Sequence, residues 1–272
     1  MNKTKKDQIF SYFPKSKAKL KLLLMFLIII LLGINYPLLD RVLNNFIENY
    51  EFGIVERVID GDTLVVNETT VRLLGINCPE KGEKYYEEAK EYLENLTLHK
   101  FVKLKRTKED LDIYKRKLRY VLIGSTNINL EIVKAGYANF YFPSGKDIFY
   151  KEFKEAWKEC VSRGLNICEK SKDKCAFCIE IKNFNFEKQS LTLKNNCQYS
   201  CDLNRWTIKD EGRKKFEFEN FTLDREITIK VGVGENTNNT LFWAGEEYVW
   251  TNTGDTIILR DKDDKLVLWW NY

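Results

Sequence analysis

FGIVERVIDGDTLVVNETTVRLLGINCPE, residues 52–80, sets β-branched residues in alternation on both sides of a D-G-D turn. That texture predicts short antiparallel strands from 53 to 76, since period-two patterning places one face in a core. The stretch also sets Arg72 and Glu80 at the two ends of one strand-and-turn, with Asn77 and Cys78 between them.

Downstream, EKYYEEAKEYLENL, 83–96, is helical, with Tyr86, Ala89, Leu93 and Leu96 on one face. FVKLKR, 101–106, and KLRYVLIG, 117–124, are strands again. NINLEIVKAG, 127–136, is a short helix ending at Gly136. KDIFYKEFKEAWKECVSRG, 146–164, is a longer one, with an apolar stripe of Phe149, Phe153, Ala156, Trp157, Cys160 and Val161. Five strands with helices inserted late fit a small closed OB-type barrel over 53–168. Cys160, on that stripe, is expected to be a free buried thiol.

Upstream, KSKAKLKLLLMFLIIILLGINYPLL, 15–39, is a basic flank followed by an apolar run. The run from 22 to 39 approaches the length that spans a bilayer, and lysines before it place residues 1–21 in the cytoplasm and the rest outside. A cleaved signal peptide is the alternative, against which stand the length of the run and the lack of a small-x-small site. Residues 40–52 read as a spacer. The chain carries a formal net charge of +4, and residues 1–21 alone hold seven lysines and one aspartate. The remainder is therefore close to neutral, which excludes a broad cationic field; any nucleic-acid contact must come from a local patch.

A cysteine-bearing linker covers 169–185, and from 179 on nearly everything is strand: IEIKNF, SLTLKN, RWTIKD, KFEF, EITIKVG, EEYVWTN, TIILRD and KLVLWW, separated by turns such as DEG, GENTNN and NTGD. Short strands at regular spacing predict a β-sandwich over 186–272. Cys168, Cys175, Cys178, Cys197 and Cys201 admit disulfides or a zinc site; an external location favours disulfides. Asn67, Asn95, Asn220 and Asn238 sit in glycosylation sequons.

Phosphodiester hydrolysis needs a cation for the phosphate, basic groups on its oxygens and a carboxylate for the attacking water. Asp60, Asp62, Arg72, Asn77, Cys78, Glu80, Tyr114 and Arg116 offer these parts within a few turns. Taken singly, each has an ordinary structural explanation: D-G-D as a hairpin turn, Arg72 as a strand charge, Glu80 as a helix start. In order, however, VIDGDTLVV, VRLLGINCPE, YEEAKEYLENL and IYKRKLRYVLIG…NINLEIVKAGYA resemble the staphylococcal nuclease (thermonuclease) family. The resemblance covers about 53–168.

It implies a five-stranded OB barrel with three helices and a Ca²⁺-dependent endonuclease acting on single-stranded or locally melted DNA or RNA, leaving 3′-phosphate ends. No organic cofactor is implied. Asp62 corresponds to a calcium carboxylate, Asn77 to a position where the family often has aspartate, and Cys78 to a backbone-oxygen ligand. Glu80 corresponds to the general base, Arg72 and Arg116 to the phosphate arginines, Tyr114 to a substrate contact and Asp60 to a carboxylate behind the metal ligands. Asn77 is the departure: it offers oxygen without charge, which implies weaker Ca²⁺ binding.

The 186–272 region, through WTIKD and NTGDTIILRD, resembles a lamin-tail domain, which implies an immunoglobulin-like sandwich. Trp243, Trp250, Trp269 and Trp270 divide between a stacking surface and core, with core favoured for at least half. The expected whole is mainly β with α, a barrel and a sandwich behind one transmembrane helix. The expected function is a membrane-anchored, externally facing nuclease. A non-catalytic nucleic-acid or protein binding module on the same barrel is the alternative.

Overall fold

The computed structural model describes residues 13–272, which divide between Glu51 and Phe52 into two compact units. Of the expected cytoplasmic segment 1–21, residues 1–12 lie outside the described residues. Helix α1, Phe13–Asn49, makes up nearly all of the described part of the first unit. Its stretch Lys19–Arg41 has a mean hydropathy of 2.6 and none of it is buried. Length and composition fit a membrane span, and they fit a signal sequence equally. The helix runs on past Leu39, so most of the expected spacer is helical; DRVLNNFIEN contains no Gly or Pro to stop it.

The second unit holds β1 (Tyr50–Asp60) from Phe52 onward, then β2 (Thr63–Val66), β3 (Thr69–Leu73) and β4 (Ile76–Asn77). Helix α2 (Tyr86–Thr97), β5 (Phe101–Lys105), β6 (Lys117–Ile123), β7 (Thr126–Asn127), α3 (Ile128–Lys134), β8 (Asn139–Phe140) and α4 (Tyr150–Arg163) follow. The strand order β3-β2-β1-β5-β6 closes through a parallel β3–β6 pairing, giving a five-stranded barrel. The three helices α2, α3 and α4 are those expected from the sequence. Register then places the chemistry. Thr63 faces Arg72 across β2–β3, and Arg72 faces Leu118 across β3–β6. One barrel rim thereby receives Asp62, Arg72 and the turn before β6.

Two glycines are needed there. A Cβ on Gly61 would meet Ala89 Cβ at 2.8 Å and Cys78 at 2.9 Å, so the D-G-D turn is pressed directly against the Cys78 turn and α2. Gly75 has φ +74, which favours glycine, and sits among Phe142, Phe153 and Tyr120.

The sandwich consists of β9 (Ile179–Asn185), β10 (Ser190–Asn195), β11 (Cys201–Asp202), β12 (Thr207–Lys209), β13 (Lys215–Glu217), β14 (Thr222–Leu223), β15 (Glu226–Val231), β16 (Thr240–Trp243), β17 (Thr256–Arg260) and β18 (Leu266–Asn271). Two four-stranded sheets, β16-β15-β10-β9 and β13-β12-β17-β18, enclose the core. Ile179–Asn185, read as a strand on sequence although placed within the linker bounds, is the first strand of this domain. EEYVWTN is not a strand. Val249 and Trp250 are buried, but their backbone N–H groups donate to the Gln189 side chain at 2.7 and 3.0 Å instead of to a neighbouring strand. Trp243 and Trp250 are core residues, while Trp270 stays partly exposed.

The two β domains share apolar packing. Ile258 and Leu266 of the sandwich are buried in the barrel's own core cluster, with Trp269 packed against it. The Trp269 ring centroid lies 5.9 Å from Phe140 and 6.1 Å from Trp157. Polar ties accompany it: Arg260 Nη1 donates to Ile167 O at 2.8 Å, and Tyr150 Oη to Asn271 Oδ1 at 2.7 Å.

The cysteines form three disulfides, Cys160–Cys168, Cys175–Cys201 and Cys178–Cys197. Cys160 is therefore not the free thiol expected of it. Gly164 ends α4 in a left-handed cap, and the chain folds back to bring Cys168 to within 5.8 Å, Cα to Cα. Cys78 is the free thiol, and it is buried.

Candidate active site

The D-G-D turn begins with a local lock: Asp62 N donates to Asp60 Oδ1 at 3.1 Å. Asp60 thus supports the turn that carries Asp62. The Asp62 side chain is 9% exposed. Its Oδ2 takes Arg72 Nη2 at 2.9 Å and the Cys78 backbone N–H at 3.1 Å. Its Oδ1 accepts from Thr63 Oγ1 at 3.1 Å. Burial pushes the Asp62 carboxyl up to about 6, with Arg72 opposing and the Asp60 charge adding to the rise.

Arg72 is itself buried. Its Nη1 donates to Leu73 O at 2.7 Å and its Nη2 to Asn77 Oδ1 at 3.4 Å. On the other flank, Arg116 Nη1 donates to Thr63 Oγ1 at 3.4 Å. One hydrogen-bonded chain therefore links Arg116, Thr63, Asp62, Arg72 and Asn77. Arg116 is held in place by Asp112, whose Oδ1 accepts the Tyr114 and Arg116 backbone N–H groups and whose Oδ2 takes Arg116 Nε at 2.6 Å. The Tyr114 ring is exposed, 5.3 Å from the Arg116 guanidinium carbon.

Cys78 packs against Gly61. Burial first, and the Asp62 charge second, push its thiol well above the usual range. A neutral, buried thiol is a poor nucleophile. His99, the only histidine, lies in the loop between α2 and β5.

Glu80 differs from the rest in its surroundings. Its backbone N–H donates to Glu83 Oε2 at 2.8 Å, while its half-exposed carboxylate pairs with Arg213 Nε at 2.7 Å. Arg213 belongs to the sandwich. Beside it, Gly212 O accepts from Asn77 Nδ2 at 2.8 Å in a buried contact between residues 135 positions apart. Glu211 Oε1 accepts the Phe142 N–H at 2.9 Å, and Lys209 Nζ pairs with Glu83 at 2.9 Å. The loop 210–214 thus forms one wall of the site. Sequence reasoning read its DEG as an ordinary turn and missed Gly212 and Arg213, along with Thr63 and Asp112. Asp112, two residues before a tyrosine and four before an arginine, carried a local signal as a turn-forming side chain. Gly212 and Arg213 carried none.

The arrangement brings a buried carboxylate, two arginines, an amide and a half-exposed carboxylate to one rim. That combination can hold a hard cation and a phosphate and can serve a water molecule.

Residues 70–170 match the staphylococcal nuclease homologue family, and residues 176–272 match the lamin tail domain. A thermonuclease of Staphylococcus intermedius is 31% identical over 127 residues, covering 43% of this chain and 76% of the relative. A thermonuclease of Staphylococcus hyicus is 30% identical over 125 residues, covering 42% and 73%. An uncharacterized endonuclease of Haemophilus influenzae is 36% identical over 106 residues, covering 37% and 58%.

Proposed function

We propose that this chain, which belongs to the staphylococcal nuclease family and carries a lamin tail domain behind the nuclease barrel, is a membrane-anchored, externally facing, Ca²⁺-dependent endonuclease that hydrolyses DNA or RNA to 3′-phosphate products. The observation that carries the proposal is the hydrogen-bonded chain from Arg116 through Thr63, Asp62 and Arg72 to Asn77, with Glu80 in the same turn as Asn77.

The donors suit a hard cation. The Asp62 carboxylate, the Asn77 amide oxygen and the Cys78 backbone carbonyl are all oxygens, and Asp62 is a buried acid whose ionised form lacks solvent. These three residues would hold Ca²⁺, which neutralises charge on the phosphate oxygens when bound. Arg72 and Arg116 grip the phosphate, since a guanidinium fork matches its oxygens in pairs. The Asp112 and Asp62 contacts pre-orient both forks. Glu80 orients a water for in-line attack on phosphorus and accepts its proton. Tyr114, whose ring lies beside Arg116, contacts a phosphate of the bound strand.

External placement rests on the apolar helix Lys19–Arg41 with lysines on its N-terminal side, and on three disulfides, which persist in oxidising surroundings. The test is hydrolysis of single-stranded DNA by the full chain in detergent, in millimolar Ca²⁺ against EDTA. Activity that requires Ca²⁺ and is lost in Glu80→Gln is expected; activity indifferent to either defeats the mechanism. The Arg213–Glu80 ion pair favours a second reading, in which the barrel only binds nucleic acid. Binding without cleavage in millimolar Ca²⁺ would select it.

A further inference from the structure

We propose that Arg213, contributed by the lamin tail domain, is a substrate-binding residue of the nuclease site, leaving Glu80 for a phosphate of the bound strand and so freeing that carboxylate for water. The inference rests on the nuclease reading above.

The loop that carries Arg213 is fixed on every side. Lys214 N donates to Asp210 Oδ1 at 3.0 Å, which closes the loop on itself, and Glu211 N donates to Asp255 Oδ1 at 3.3 Å, which ties it to its own domain. Phe142 N and Asn77 Nδ2 tie it to the barrel. Glu211 is 5% exposed, yet the Arg213 side chain is 56% exposed. A rigid backbone therefore presents a solvated, rotatable guanidinium beside the site.

The sandwich is not a detachable plug. Ile258, Leu266 and Trp269 are part of the packing of the barrel core, so lifting the loop away would strip apolar surface from the nuclease domain itself. With the loop backbone fixed, the half-exposed Glu80 carboxylate is released from its ion pair by side-chain movement. That movement costs little, because an ion pair this exposed contributes little in water.

The other two arginines are committed differently. Arg72 is buried against Asp62, and Arg116 is held by Asp112. The carboxylate partner of Arg213 is the proposed base itself. A phosphodiester brings two oxygens to the same fork, so exchange both anchors the strand and releases the Glu80 carboxylate from its ion pair. Asn77 fits this design: its amide N–H can donate to Gly212 O, whereas an aspartate there would set a carboxylate against a carbonyl.

The test uses the full chain in detergent with a short single-stranded DNA oligonucleotide. Initial rates, thermal midpoints and the salt dependence of binding are measured, the last in a Glu80→Gln background to prevent turnover. Arg213→Ala is expected to raise KM about tenfold, equivalent to one charge-assisted contact. It should flatten the slope of log K against log salt by about 0.7, one phosphate on a single strand. Arg213→Lys should restore the slope but only part of KM, and the thermal midpoints should stay together. A rise in kcat/KM in Arg213→Ala would show that the residue merely blocks Glu80 and would overturn the proposal. So would an unchanged KM and slope. If the wild-type chain binds but does not cut, the nuclease reading fails, and the slope still decides whether Arg213 touches phosphate.

Discussion

The side-chain amide of Asn77 donates to the carbonyl oxygen of Gly212 at 2.8 Å, across the seam between barrel and sandwich. The residue that departs from its family's usual aspartate is therefore a docking contact as well as a proposed calcium ligand. Asn77→Asp should have two opposed effects. Without metal, it loses a buried hydrogen bond and sets a charge against a carbonyl, costing about 1–3 kcal/mol. With Ca²⁺, the added carboxylate should tighten binding. Thermal melting in EDTA and in millimolar Ca²⁺ should show a lower midpoint for the variant in EDTA and a larger gain on adding Ca²⁺.

Loss of single site groups should be felt in turnover more than in folding. Glu80→Gln is expected to lower kcat by ~10²–10⁴, the range for a general base. Arg116→Ala should lower it by ~10²–10³, with little change in melting, because its side chain is partly exposed and its partner Asp112 keeps the Tyr114 backbone contact. Arg72→Ala should lose activity comparably and stability as well, because Asp62 would be left buried without its cation. Rates on single-stranded DNA together with melting curves separate these cases.

Trp269 should matter to the nuclease although it lies outside the matched nuclease region. It packs on Phe140 and Trp157 of the barrel. Being partly buried, its replacement by alanine should cost about half the ~3–5 kcal/mol of a full core tryptophan. A denaturant titration followed by barrel-specific activity loss would register it. An unchanged midpoint would mean that the sandwich adds nothing to barrel stability.

Docking of the loop should weaken with alkali. Burial, helped by mutual repulsion with Asp255, raises Asp210 to about 7, and burial with the same repulsion raises Glu211 to about 8. Asp255 is raised by burial too. Lys214 is the nearby cation opposing these shifts at Asp210 and Asp255. A carboxyl with a raised folded pKa binds its proton more tightly in the native state, so its stabilisation is complete below the unfolded value near 4. It is lost as pH rises through the folded value. The melting midpoint should fall between pH 5 and pH 9, and Glu211→Gln should flatten that fall while keeping an acceptor for Phe142 N–H.

The linker disulfides should hold the sandwich closed. Cys175–Cys201 spans 26 residues and Cys178–Cys197 spans 19. Replacing Cys175 and Cys201 together by serine should cost about 2–4 kcal/mol and leave the Arg116-to-Asn77 chain of hydrogen bonds intact. Denaturant midpoints with and without reductant check this. A thiol count on the unreduced, unfolded chain should find one free cysteine, Cys78.

Much of this was legible in the sequence. Period-two alternation over 53–76 determined the barrel strands, and helical periodicity determined α2, α3 and α4, because both patterns are local consequences of one buried face. Asp60, Asp62, Arg72, Asn77 and Glu80 lie within one short stretch whose strand register brings them to one rim. Their grouping as a site came from the resemblance to the nuclease family, since each residue alone also fits an ordinary turn or strand. What the tertiary structure alone decided depends on contacts between distant parts of the chain. The stretch 246–252 alternates like a strand, but its backbone is satisfied by the Gln189 side chain about sixty positions away. Cys160 sits on an apolar helix stripe, yet the turn after Gly164 returns Cys168 to it. Gly212 and Arg213 look like any polar turn between two strands. They become part of the site only because Ile258, Leu266 and Trp269 bury themselves in the barrel core and carry the loop with them. Local patterning records which face of an element is buried; it does not record which surface covers that face.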